Sequence, residues 1–214
     1  MSAKLILYIL LLLCINLLSI SRWKKFRIAE KLIAVLIFIT VFAEVIAAYA
    51  VQRWHNNMPI YHVYTPLEFF LISLYFNYSI KAFRRKNFGV LLGVIGVLLS
   101  FCNTLFLQKI TTINSYFLMF EGTVIIGYCL LSFHQILMDE ERLPYRFAHF
   151  WMTVCFMIFW SATFTCWGIY TVVEQDNSLF VSIFNKLLAV ANFTFYLGIA
   201  SIFLFYKKLI PSGG

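Results

Sequence analysis

Seven apolar stretches, at about residues 5–21, 32–51, 66–80, 88–107, 115–137, 147–170 and 179–206, follow one another through the 214-residue chain with polar or charged connections between them. A helix crosses the hydrocarbon of a bilayer with about 20 apolar residues, so these stretches use up nearly the whole chain. Only 12% of residues are charged and 62% are hydrophobic, against roughly 25% charged in soluble domains. A water-soluble globule is excluded. The expected fold is all-α, a polytopic bundle of seven transmembrane helices forming a single domain over residues 1–210. Residues 211–214 read as a flexible tail, with vector-derived residues as its alternative origin. The first stretch follows Lys4, as a signal peptide would, but no small-residue cleavage site follows and Cys14 lacks a lipobox, so it is kept as a span.

Lysine and arginine set the expected orientation. Thirteen of the 17 fall in connections on one side, from Arg22 to Lys31, Lys81 to Lys86, Arg142 to Arg146 and at Lys207 and Lys208, while Lys4, Arg53 and Lys109 fall on the other. Basic loops resist translocation, which puts the C-terminus in the cytoplasm and the N-terminus outside, in a multi-pass protein of the cell membrane. The net charge of +8 is therefore read as membrane orientation, and no nucleic-acid partner is inferred. The five cysteines lie in apolar runs without metal-ligand spacing and read as small buried hydrophobes.

Local signals suggest helix starts. Thr65-Pro66-Leu67-Glu68 has the pattern of a capping box with proline at the first helical position, which predicts a third helix starting there with Glu68 as its capping partner. Asn114 or Ser115 offers a cap for the fifth helix, and Asp176, Asn177 or Ser178 for the seventh. Gly89, Gly93, Gly96, Ser100 and Asn103 line one face of the fourth helix. Ser182, Asn185, Ala189, Asn192, Tyr196 and Ala200 do the same in the seventh, and both stripes are expected to pack inward. A faint repeat pairs Glu68 with Tyr75, Glu121 with Tyr128 and Lys186 with Phe193, suggesting three related hairpins.

Ionisable residues inside spans cost several kcal/mol unless paired or hydrated, so each is a functional candidate. Glu44, Glu121 and Lys186 all fall about six or seven residues, ~10 Å, below the outer ends of their helices. Glu68, Asn103 and His62 are expected near the same level. Trp160 falls mid-helix, where core packing is the first reading and the border of a central cavity the alternative, whereas Trp23, Trp54, Trp151 and Trp167 suit interfacial belts. These residues, with Asn185, predict an outward-facing polar pocket in which Lys186 pairs with carboxylates or snorkels outward. Glu44, flanked by alanines, is the strongest candidate. His134 and His149 are expected at the inner headgroup boundary. No metal or cofactor is predicted, because the histidines lack paired-ligand spacing.

A lysine in a seventh helix resembles the retinal-bearing lysine of microbial rhodopsins. The likeness is confined to topology and that one residue, and Glu68 stands too near its expected helix start to act as a counter-ion, so the family is not assigned. With no P-loop, dinucleotide or nucleophile-elbow motif in the chain, the expected function is a small sensor or receptor-like module. In this reading a small ligand or ion binds from outside and a separate cytoplasmic partner receives the signal. A proton-coupled or small-solute transporter using the same acids and amine is the alternative, and a lipid-modifying enzyme the second alternative.

Overall fold

The computed structural model describes residues 3–138, 143–172 and 178–209. Their regular elements are helices: α1 (Ala3–Arg22), α2 (Ile28–Trp54), α3 (Met58–Ser79), the short α4 (Lys81–Lys86), α5 (Phe88–Cys102), α6 (Ser115–Leu137), α7 (Ala148–Val172) and α8 (Ser178–Phe205). α5 continues into a π-helical turn, Asn103–Leu107. Six helices are long and apolar enough to cross a membrane: α1, α2, α5 with its π turn, α6, α7 and α8. This is an all-helical membrane protein. α3, counted as a span from the sequence, is not among the six. Its 22 residues reach roughly 33 Å at 1.5 Å per residue, but ten of them, four tyrosines included, carry polar groups.

The start of α3 corrects the sequence reading. The helix begins at Met58, seven residues before Thr65, and Pro66 lies inside it. The Asn56 carboxamide oxygen accepts the Met58 N–H at 2.8 Å, and Pro59 takes the first turn, where its missing N–H costs nothing. Thr65 does not cap. Its hydroxyl donates to the Tyr61 carbonyl one turn earlier, at 2.9 Å. Glu68 is therefore a mid-helix carboxyl. Asn114 does occupy the position before α6, but its side chain makes no capping bond there. The proposed caps Asp176 and Asn177 and the tail 211–214 lie outside the described residues.

Packing follows a closed order, with α1 against α2, α2 against α3, α3 against α6, α6 against α7, α7 against α8, and α8 back against α1. α5 stands outside this ring, packed on α3. That arrangement breaks the suggested hairpin repeat, since α5 takes α3 and not α6 as its main neighbour. Large exposed hydrophobics such as Leu7, Leu17, Phe42, Ile46, Leu98, Leu130, Ile158 and Val190 cover the outward faces of the six apolar helices. Such a belt far exceeds the apolar patches of soluble monomers and suits lipid. α3 exposes only Val63 and Leu67 among its large hydrophobics. The ring and α5 hide the rest of its polar surface.

The small-residue stripe of α5 does pack inward. A Cβ on Gly89 would stand 2.6 Å from the Ser73 carbonyl oxygen and 2.7 Å from Asn77 Cβ. The Gly89 N–H donates to the Asn77 carboxamide at 3.1 Å. Gly93 meets Phe70 and Ser73 in the same way. Without a hydrophobic drive between helices in lipid, close backbone approach is what joins α5 to α3. The stripe of α8 is only half inward. Tyr196 is buried, but Ser182 and Asn185 are exposed. Of the cysteines, only Cys129 is buried; Cys14 and Cys102 are exposed, on lipid-facing sides of their helices.

Toward the basic end of the bundle, Tyr75, Phe76, Tyr128 and Phe156 form an aromatic plug, with Phe76 and Tyr128 rings 5.2 Å apart. His149 belongs to this core and not to the headgroup boundary. It is 5% exposed, Nδ1 meets the Tyr75 hydroxyl at 2.7 Å, and Nε2 meets the Ser132 hydroxyl. Gly89→Ala is expected to lower stability by about 1–3 kcal/mol through overpacking against α3. Gly127→Ala, whose new methyl would meet nothing within 4 Å, should leave it nearly unchanged. Thermal unfolding of both variants in detergent checks the pair.

Candidate functional site

On α3, Tyr61, Tyr64, Thr65 and Glu68 recur at helical spacing and share one face, and on α2 Thr40 and Glu44 stand one turn apart. The two faces meet. The single Thr40 hydroxyl hydrogen goes to the Leu36 carbonyl at 2.9 Å, so the Tyr64 hydroxyl donates to Thr40 at 2.8 Å. The Tyr61 hydroxyl reaches both Glu44 carboxyl oxygens at 3.4 Å. These bonds fix the two acid-bearing helices in register.

Between them and the far side of the ring lies a cavity of about 360 Å³. α1 contributes Tyr8; α2 gives Thr40 and Glu44; and α3 gives its Tyr61–Glu68 face. Asn114 and Leu118 close the wall at the head of α6, and α7 and α8 add Trp160, Thr163, Asn192 and Tyr196. The lining runs from mid-helix residues such as Thr40, Trp160 and Tyr196 to Met58, Ile113 and Asn114 at the end away from the basic connections. The volume is near the lower end of small-molecule sites, roughly 300–1,000 Å³.

The residues expected from the sequence separate into three groups. Glu44, Glu68, Trp160 and Asn185 line the cavity. Glu121 lies one turn below Leu118 on α6, fully buried, with no partner for either carboxyl oxygen among the described residues. It interacts electrostatically with Glu68, which interacts with Glu44.

His62, Asn103 and Lys186 do not reach the cavity wall. His62 Nε2 donates to the Thr112 carbonyl at 2.9 Å and Nδ1 meets the Thr104 hydroxyl at 2.8 Å, clamping the α5–α6 connection onto α3. Asn103 donates to Gln108 at 3.0 Å and to Asn114, while Gln108 donates to Ser115 at 2.9 Å. Both residues position the loop that presents Asn114. Lys186 is exposed on α8 and forms no described bond to a carboxylate. Its long stem favours the polar interface over a buried pairing. Trp167, expected in an interfacial belt, instead lines the cavity and packs on Phe184, ring centroids 5.1 Å apart.

Sequence reasoning missed Tyr8, Thr40 and Thr163. Tyr8 carries a polar tip amid the leucines of α1, and Thr40 precedes Glu44 by one turn, which was the available signal. Starting α3 at Thr65 also cut its polar face in half and hid the Tyr61-to-Glu68 periodicity. Compared with known proteins, the chain matches no family model, no curated protein and no solved structure.

A buried carboxyl without a partner is destabilising, so Glu121→Met is expected to be neutral or to stabilise by about 1–3 kcal/mol in thermal unfolding. Asn114→Ala should do the opposite. It removes the acceptor for Asn103 and the 3.5 Å contact to Thr65, and a loss of about 1–2 kcal/mol is expected.

Proposed function

We propose that this chain is a seven-span, receptor-like membrane module, N-terminus outside, that binds a small molecule in the cavity from the outer side and signals to a separate cytoplasmic partner. The observation that carries this reading is the cavity itself. Six helices converge on one small, part-polar space that extends from mid-bundle toward the end opposite the basic connections. α3, 22 residues long and a member of the ring covered on its outer side by α5, counts as the seventh span. Ligand contacts at Glu44, Glu68 and Trp160 touch α2, α3 and α7 together, so occupancy biases how these helices pack.

The opposite end suits a cytoplasmic face. Repulsion from Lys207 holds the exposed Lys25 ammonium below the usual lysine range, and Arg27, Lys31 and Arg84 line a second hollow nearby. Anionic headgroups or an acidic partner surface relieve such crowding. A carrier is the second reading, favoured by one observation: Pro66 interrupts the α3 hydrogen-bond ladder beside the cavity. The lipid-modifying reading is weakened, since His62 and His149 are committed to structural hydrogen bonds away from the cavity.

Thiol labelling tests the orientation and the opening. In a background with the native cysteines replaced by serine, Asn185→Cys at the cavity wall should react with a membrane-impermeant maleimide on intact cells. Lys207→Cys should react only after permeabilisation. The reverse pattern, or protection of both positions, would overturn the outward-facing pocket.

A further inference from the structure

The charge of the cavity is one-sided. Among the described residues that line it, the ionisable carboxyl groups are Glu44 and Glu68, from adjacent helices, and there is no lysine, arginine or histidine. A buried carboxylate in a low-dielectric setting needs a compensating charge or must stay protonated. Lys186 is exposed and does not line the cavity.

A second observation comes from α7, across the ring from α2 in the packing order. Trp160 is 4% exposed and lines the cavity, and its indole N–H has no hydrogen-bond partner among the described residues. A buried indole N–H normally finds an acceptor. The wall therefore offers acids on one side and an uncommitted donor on the other. The remaining wall is rich in rings, including Tyr8, Tyr61 and Tyr196, and aromatic surroundings are the chemistry that recognises organic ammonium groups. A bare metal ion fits less well. No group of three or more metal-ligating side chains gathers among the described residues, and about 360 Å³ of ring-lined space is superfluous for an ion.

We propose that the cavity binds a small organic ammonium compound, its cationic nitrogen held by Glu44 and Glu68 and an acceptor oxygen of the same molecule taking the Trp160 indole N–H. The inference rests on the outward-pocket reading and names its ligand class. Anionic molecules of the same shape are repelled by the uncompensated acids, and neutral ones gain no charge pairing from them.

Choline and 5-aminopentan-1-ol are suitable probes, each carrying a cationic nitrogen and a hydroxyl oxygen. Their affinities for the full chain in lipid nanodiscs, measured by isothermal titration calorimetry, are to be compared with those of 3,3-dimethylbutan-1-ol, the neutral isostere of choline, and of 3,3-dimethylbutanoate. At least one cation is expected to bind ten or more times tighter than the neutral isostere, and the anion not at all. Glu68→Gln should weaken the cation tenfold or more and leave the neutral alcohol unchanged. Trp160→Phe, which keeps a ring and removes the N–H, should weaken choline severalfold and remains informative if the acid variant does not fold. Equal affinity for choline and its isostere, insensitivity to both substitutions, competition by sodium ion alone, or no binding by either cation would each overturn the proposal. The thiol-labelling experiment uses no cation. Labelling without cation binding therefore removes the ligand class and keeps the pocket, whereas cation binding with the reversed labelling pattern removes the orientation and keeps the ligand class.

Discussion

The enclosure of α3 is the constraint on which the rest of the structure depends. Its face from Tyr61 to Glu68 and its lower residues Ser73, Asn77 and Ser79 are too polar for lipid, yet they sit within a membrane protein because α2, α5 and α6 cover them. Backbone and side-chain polar groups in hydrocarbon must find partners inside the protein. α3 finds them in Thr40, Gly89 and the α5–α6 loop. The glycines of α5 are the counterpart of that arrangement, because only their lack of a Cβ lets α5 come close enough to shield the far side of α3.

From this enclosure follows a division of the bundle into two storeys. At the basic end, aromatic rings around Tyr75 and Phe156, with His149 bonded between α3 and α6, fill the interior. At the other end the helices line a polar space instead of filling it. A filled storey beneath one that holds a cavity is what the proposed one-sided binding requires. The proline in α3 lies in the upper storey, where a local change in helix packing has room to occur.

Much of the membrane architecture was legible because hydrophobic length is a one-dimensional property. The long apolar runs and the inward glycine face of α5 follow from spacing along single helices. The partition of the site residues was not legible. Whether Lys186 faces the acids or the interface depends on the rotation of α8 about its axis, which its neighbours set. His62 and Asn103 have the chemistry of ligand groups, and only the approach of the α5–α6 loop turns them into loop anchors.

The sequence by itself determined that this chain lives in a bilayer, which end of the bundle is basic, and that acids stand within the helices, because composition and periodicity carry those facts residue by residue. Only the tertiary structure decided that α3 starts at Met58, that α5 covers its outer side, and that two of the acids share a cavity with Trp160 while Lys186 does not line it. The physical reason is that a polar residue in a membrane helix is tolerated or not according to what surrounds it, and its surroundings come from other helices distant in the chain.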